Sequence, residues 1–172
     1  MSPLIGQFDA MPPELVALLN SQWAYLALFG VFVLEGAMLM YFMPSELIVP
    51  ASLFLLGSEA IVPILCVAVT GATVGQYLLF TLAQRGGREY LLSKQWFRIS
   101  ESKITRFDSW FERWGPLVVP VSNALLFTRG MLTVPAGFAE MNDRRFMFLS
   151  AVGTVVFETA LAALYLYADT LI

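Results

Sequence analysis

Histidine is absent from the 172 residues, and there is one cysteine, Cys66. Without imidazole there is no His-based triad, no imidazole zinc site and no histidine proton relay, and a single thiol forbids an internal disulfide. Charge is scarce too: 13% of residues are Asp, Glu, Lys or Arg, 58% are hydrophobic, and the mean hydropathy is +0.72. A soluble domain has roughly half its residues apolar and about a quarter charged, so this chain carries more apolar surface than one water-soluble core hides. It reads as an integral membrane protein. Positive charge is missing from the whole first half. Residues 1–84 hold five acids (Asp9, Glu14, Glu35, Glu46, Glu59) and no Lys or Arg, and all ten basic residues lie from Arg85 onward.

Residues 1–22 lack a basic n-region and are interrupted by Pro12-Pro13, which predicts an interfacial segment with a short helix near residues 14–19 rather than a cleavable signal peptide. Residues 23–58 are apolar apart from Glu35 and Glu46 and are broken by Gly36, Pro44, Pro50 and Gly57. That length is long for one crossing and short for two, since each wants about 20 residues. Residues 60–84 carry no charge. A helix of that length, rising about 1.5 Å per residue, spans a roughly 30 Å hydrocarbon core.

Between residues 85 and 114 seven basic residues stand against four acids, which assigns this stretch to the cytoplasmic side. Ile104, Phe107, Trp110, Phe111 and Trp114 recur there at helical spacing, with Lys103, Arg106, Glu112 and Arg113 on the other side. Such a pattern predicts an amphipathic helix on the membrane surface, with Ser100 as a candidate cap. Residues 115–139 are apolar again, with Arg129 their only charge and Pro116, Pro120, Gly130, Pro135 and Gly137 interrupting them. Arg144 and Arg145 follow directly, so if both flanks are cytoplasmic the segment enters and leaves on one side, as a re-entrant hairpin does. Residues 146–168 make a last span carrying Glu158.

The expected fold is therefore an all-α integral membrane protein: two opposed re-entrant helical hairpins plus transmembrane helices in an inverted repeat, and a cytoplasmic amphipathic helix. It forms a single membrane domain over residues 1–172, divided as 1–22 (interfacial segment), 23–84 (hairpin plus span), 85–114 (surface helix) and 115–172 (hairpin plus span). In transporters this arrangement places a site at the bilayer midplane between broken helices.

The residues then show a family pattern. Glu35 is followed by the turn Pro44-Ser45-Glu46, then come Gly71 and Gly75 in a Gly-x-x-x-Gly pair, and Arg85-Gly86. Next come Glu112-Arg113-Trp114-Gly115, then Arg129 eight residues ahead of Gly137, with Ala136-Gly137-x-x-x-Met141, Arg145-Phe146 and Gly153. In order and spacing, over residues 34–167, the chain resembles the DedA family of membrane proteins, also called the VTT or SNARE-associated domain family. It departs from the family's usual pattern at four places: Asn123 stands where a first arginine is usual, Leu126 for a proline, Gln76 for an aspartate and Phe157 for a tryptophan. The resemblance implies two opposed re-entrant hairpins and movement of lipids across the bilayer, either recycling of polyprenyl-phosphate carriers or scrambling of phospholipids, in some members tied to the proton gradient.

Four charges, Glu35, Glu46, Arg129 and Glu158, stand inside otherwise apolar segments. Each costs about 2.5–3.5 kcal/mol or more at mid-bilayer, so they are expected to face a cavity or one another. Arg129 is the candidate to grip a lipid phosphate through its planar fork, or else to form a buried salt bridge to Glu46 or Glu35. Asn123 is a second candidate donor to the headgroup, or a turn residue satisfying its own backbone. Glu35, Glu46 and Glu158 are candidates for proton coupling or gating. For Glu35 the alternative is a place at the outer interface, for Glu46 a structural role in a helix first turn, and for Glu158 a pairing with Arg129. Gly71 and Gly75 read as a helix contact.

The function this supports is lipid transport or scrambling in the plasma membrane by a multi-pass protein; the alternative is a proton- or ion-coupled transporter of small solutes. An enzyme is not expected, because no histidine base and no metal-ligand cluster is present. Neither cofactor nor metal is expected. The expected partners are membrane lipids and not nucleic acid, with a homo-oligomer left open.

Overall fold

The computed structural model of the chain describes residues 23–40, 45–92, 101–126 and 128–171. Among them all regular structure is helical. The interfacial segment at residues 1–22, the Pro44 turn residue and the Ser100 cap lie outside the described residues.

Helix α1 (Ala24–Gly36) is apolar all round until Glu35, and the chain leaves it through Ala37 and Met38, the latter at a positive φ of 58°. A 3-10 turn at Ser45–Leu47 leads into α2 (Ile48–Leu56), which stops at Gly57. After a second 3-10 turn, Ser58–Ala60, helix α3 covers Ile61–Leu92 with a non-helical break at Gly87, φ 73° and ψ 171°. Helix α4 (Glu101–Trp114) runs through the 3-10 turn Gly115–Leu117 into α5 (Val118–Ala124). Two shorter steps complete the chain: α6 (Thr133–Phe138), and α7 (Asp143–Asp169), whose start is capped by Asn142 accepting from the Arg145 N–H at 3.3 Å.

Two stretches, Ser58–Gly87 and Asp143–Asp169, are long and apolar enough to cross a membrane among the described residues. They correspond to the spans expected at 60–84 and 146–168. The second begins earlier than its apolar run because the Asn142 cap draws Asp143, Arg144 and Arg145 into the first turn. The amphipathic helix expected after Ser100 is described over Glu101–Trp114, and within the stretch set apart as 85–114 α3 continues past its glycine break to Leu92. At about 1.5 Å per residue neither the 13 residues of α1 nor the shorter α2, α5 and α6 reach across a roughly 30 Å core.

Helix α1 lies along α3 and α5 lies along α7; α6 reaches over to α3, whereas α2 rests on both α3 and α7. One apolar cluster joins Leu28 and Phe32 of α1, Ile48, Val49 and Leu53 of α2, and Ile64 and Ala68 of α3. Another joins Phe80, Val119, Ala136 and Phe146, with the Phe80 and Phe146 rings stacked at 4.2 Å between centroids. Outside the core the helices stay apolar: Leu26, Val62, Leu78, Phe148, Val156 and Leu164 are exposed. Helices that are apolar on every face suit a lipid surrounding.

Small residues make the closest contacts. A β-carbon on Gly75 would strike the Val33 carbonyl and the Ala37 amide at the end of α1, and one on Gly153 would meet the Pro120 carbonyl at 2.5 Å and the Asn123 β-carbon at 2.7 Å. Both obstacles are backbone or its near neighbour, so the helices must part to admit a side chain. Gly75→Val is expected to cost about 1–3 kcal/mol or more, read as a lower midpoint of thermal unfolding in detergent. Gly30→Ala, on a face with nothing within 4 Å, should raise stability by up to about 1 kcal/mol. Equal behaviour of the two variants would contradict the close α1–α3 contact.

Candidate functional site

The end of α1, the turn between α5 and α6, and the middle of α7 converge on one buried ionic group. Arg129 donates from Nε to Glu35 Oε1 at 2.9 Å and from Nη2 to Glu35 Oε2 at 3.3 Å, a two-point grip, and Nη2 also meets Glu158 Oε1 at 2.5 Å. The side chains are 5% exposed for Arg129, 10% for Glu35 and 1% for Glu158. The guanidinium stands 4.2 Å from the centroid of the Phe157 ring, a cation–π contact that covers one of its faces. Arg129 Nη1 and Glu158 Oε2 are buried and have no hydrogen-bond partner among the described residues, nor does the Thr154 hydroxyl one helical turn before Glu158.

The turn that delivers Arg129 is held from below. Gly130 sits at φ 70°, which favours glycine, and its N–H donates to Asn123 Oδ1 at 3.1 Å. Asn123 Nδ2 in turn donates to Gln76 Oε1 at 2.8 Å and to Ser150 Oγ at 3.1 Å. Ser150 Oγ also contacts Gln76 Oε1. Four segments thus meet in an uncharged, buried network beneath the ionic one. Ser122 and Thr128 close the same turn, Ser122 Oγ donating to the Thr128 carbonyl at 2.7 Å and Thr128 Oγ1 to the Ser122 carbonyl at 3.2 Å.

Of the residues singled out in the sequence, Glu35, Arg129 and Glu158 are brought together, and Glu46 is not. Glu46 stands half-buried in the 3-10 turn before α2, and the ion pairs of Arg129 go to Glu35 and Glu158 instead. The salt bridge expected to Glu46 or Glu35 is therefore made by Glu35, with Glu158 as a second partner. Asn123 is 2% exposed with both ends of its amide engaged, so in this arrangement it positions the Arg129 turn and presents no group to a headgroup. Gln76, Ser150 and Phe157 join the site from positions that the charge pattern alone does not mark. The signal for two of them was the departure from the family pattern at 76 and 157. Among the described residues no group of three or more His, Cys, Asp or Glu is placed to hold a metal ion.

With this geometry in view, comparisons place the chain. A model of the VTT domain matches residues 43–167, and the chain belongs to that family, the DedA family. Among curated relatives, undecaprenyl phosphate transporter A of Staphylococcus aureus is 25% identical over 151 residues, covering 84% of this chain and 73% of its own length. The protein of the same name from Bacillus subtilis is 24% identical over 115 residues, 65% of this chain and 58% of its own. An alkaline phosphatase-like protein of Lactococcus lactis is 23% identical over 160 residues, 88% of this chain and 73% of its own. No solved structure matches significantly.

Stranding the two carboxylates tests the ionic network. Arg129→Gln is expected to cost about 3–5 kcal/mol of unfolding free energy, the usual loss when one partner leaves a buried pair. Adding Glu158→Gln to Arg129→Gln should recover much of it, because the second change removes a stranded charge. Simple additivity of the two single losses would show that they share no network.

Proposed function

We propose that the protein is a plasma-membrane transporter of a polyprenyl-phosphate lipid carrier, with Arg129 as its phosphate-binding residue. The observation that carries this reading is a guanidinium, nearly sealed from solvent, held by two carboxylates from distant parts of the chain while Nη1 remains without a partner among the described residues. A planar fork of this kind matches phosphate oxygens as well as it matches a carboxylate. The names of the two transporter relatives supply the substrate class, and the third relative's name carries no residue-level support for catalysis in this chain.

In the proposed cycle the lipid phosphate takes Nη1 first and then displaces a carboxylate from Nη2 or Nε. Two carboxylates and one guanidinium sum to −1 when all are ionised, so one proton on the carboxylate pair leaves the trio neutral. A proton taken up by Glu35 or Glu158 would release Arg129 for the phosphate, which makes these two acids the coupling residues. Glu46, outside the trio, would act as a gate on the other side of the first hairpin.

The membrane arrangement is part of the same proposal. Short arms α1–α2 and α5–α6, each too short to cross, act as opposed re-entrant hairpins, with α3 and α7 as the spans. Two features support an inverted repeat: each first arm lies along its own span, α1 on α3 and α5 on α7, and each second arm touches the span of the other half, α6 on α3 and α2 on α7 as well as on α3. Each first arm also carries a polar residue near its end, Glu35 or Asn123, where the arm's backbone presses on a glycine of that span, Gly75 or Gly153. Polar arm ends that meet inside the bundle would create a path for a headgroup while the hydrocarbon stays in lipid.

The test is reconstitution into liposomes holding a fluorescent polyprenyl phosphate, following loss of outer-leaflet label with and without a proton gradient. Wild-type protein should move the label. Arg129→Ala should abolish movement while still inserting, and Arg129→Lys should retain charge but lose about ten- to a hundredfold, the worth of a charged hydrogen bond. Glu158→Gln should move lipid without responding to the gradient. Wild-type rates in Arg129→Ala would sink the phosphate role, and no lipid movement by folded wild type would leave small-solute transport as the better reading.

A further inference from the structure

Beside the Arg129 turn runs a groove of about 430 Å³ between α4 and the α5–α6 turn. One wall is Trp110 and Trp114 of α4; the other is Leu117, Val121, Leu125 and Leu132. Ser122 and Thr128 also line it, but their hydroxyls are spent on each other's backbone carbonyls, which leaves carbon facing the groove. Such a lining offers a ligand almost no polar partner and suits hydrocarbon. Leu117, Val121 and Leu125 are more than half exposed, so a chain can enter sideways from lipid.

The charge around the groove is one-sided. The Arg106 guanidinium lies 5.6 Å from the Trp110 ring centroid and that of Arg113 lies 5.8 Å from the Trp114 ring centroid, so each tryptophan of the wall carries a cation. At 3.6 residues per turn Arg106, Trp110, Arg113 and Trp114 fall within about 100° of arc on α4, so the two arginines flank the tryptophans instead of taking the other side as expected from the sequence, and the acids Asp108 and Glu112 fall opposite. The helix has as many acids as bases over Glu101–Trp114, yet it stacks both arginines on the groove's tryptophans. An anion at the rim would therefore meet two guanidiniums and no carboxylate of the same helix face.

We infer that α4 and the α5–α6 hairpin form an entry site for a polyprenyl phosphate, its first isoprene units in the groove and its phosphate between Arg106 and Arg113. This rests on the lipid-carrier reading above and adds to it a second seat, distinct from Arg129. Size favours a single chain: at about 30 Å³ per carbon-sized group, the room a water takes in the liquid, the groove holds about 14 such groups, or roughly three isoprene units. A phospholipid brings two acyl chains side by side, which room for about 14 such groups does not take together. Continuity favours it too, since Thr128 and Ser122 are the chain neighbours of Arg129 and Asn123.

The experiment uses the full chain in phosphatidylcholine nanodiscs with a polyprenyl monophosphate bearing a diazirine in its first isoprene units, and maps the photo-adducts by mass spectrometry. Adducts are expected on the residues lining the groove, saturating with probe, and displaced by unlabelled polyprenyl monophosphate but not by phosphatidylglycerol or the matching polyprenol. Val121→Trp fills the groove from an exposed position and should weaken labelling by about tenfold or more, since each methylene kept out is worth about fourfold. Arg106→Gln and Arg113→Gln should each weaken it by roughly fivefold, the worth of one interfacial cation toward an anionic lipid. Adducts spread evenly over the lipid-facing helices, equal displacement by phosphatidylglycerol, or indifference to Val121→Trp in a folded protein would each overturn the entry site. The two readings fail separately. Groove labelling without transport by wild type would remove the transport reading and keep the seat, whereas wild-type transport by Val121→Trp would remove the seat alone.

Discussion

A single guanidinium in the interior dictates much of the architecture. Arg129 is buried in a bundle whose helices are apolar inside and out, and an unpaired ion there would be excluded or would drag water in after it. Its two carboxylates come from residues 94 and 29 positions away, at the end of α1 and in the middle of α7. The ionic contact therefore fixes the end of α1 and the α5–α6 turn relative to α7. It also explains the turn: Arg129 reaches inward only because Gly130 accepts a positive φ and because the Asn123 side chain captures the Gly130 amide. Asn123 is held in turn by Gln76 and Ser150, so the ionic layer rests on a neutral one.

Stability alone is a poor reason for such a group. Replacing a buried ion pair with well-packed hydrophobic residues is often neutral or stabilising, because desolvation consumes the Coulombic gain. Here the arrangement is also incompletely satisfied, with Nη1 of Arg129 and Oε2 of Glu158 buried without partners among the described residues. A charge so placed makes sense where it must change partners. The glycine contacts provide the setting: because Gly75 and Gly153 let the first arms press onto the spans, the arm ends bring their polar residues into the bundle rather than to its edge.

The sequence announced the ionic site because an isolated charge in an apolar run is expensive, and that expense is visible without coordinates. Glu35, Arg129 and Glu158 were each marked in this way, and the two long spans by their apolar length, the second interrupted only by Glu158. Which acid would pair with Arg129 was not legible. Glu46, like Glu35, is an isolated charge in an apolar run, and only the packing of α1 against α3 puts Glu35 beside Arg129. The role of Asn123 was hidden for a different reason. Its partners Gln76 and Ser150 lie 47 and 27 residues away, and no local periodicity joins neutral polar side chains across helices. The clue lay in two departures from the family pattern, an amide where an arginine is usual and an amide where an aspartate is usual, which turn out to touch. An opposite-charge pair and an amide pair both satisfy a buried contact, and changing one member alone would have stranded the other. The groove beside α4 was hidden for a third reason: the helical pattern marks an amphipathic face, but only the fold sets that face against the α5–α6 turn.

The neutral pair has a consequence for the proposed cycle. Residues 115–139 carry one cation, Arg129, and the buried site as a whole holds one positive against two negative groups. A phosphate arriving at Arg129 adds further negative charge to a site already in anionic excess, so it cannot bind on top of both carboxylates without a large repulsion in a low-dielectric interior. Either a carboxylate must move away or a proton must arrive. Because the coupling is a free energy shared between the two binding events, a proton that favours phosphate binding is itself bound more tightly when phosphate is present. Protonation and lipid binding are then linked by electrostatics alone, without a separate coupling device. The Asn123–Gln76 pair, being uncharged, adds nothing to that balance and leaves Arg129, Glu35 and Glu158 to set it.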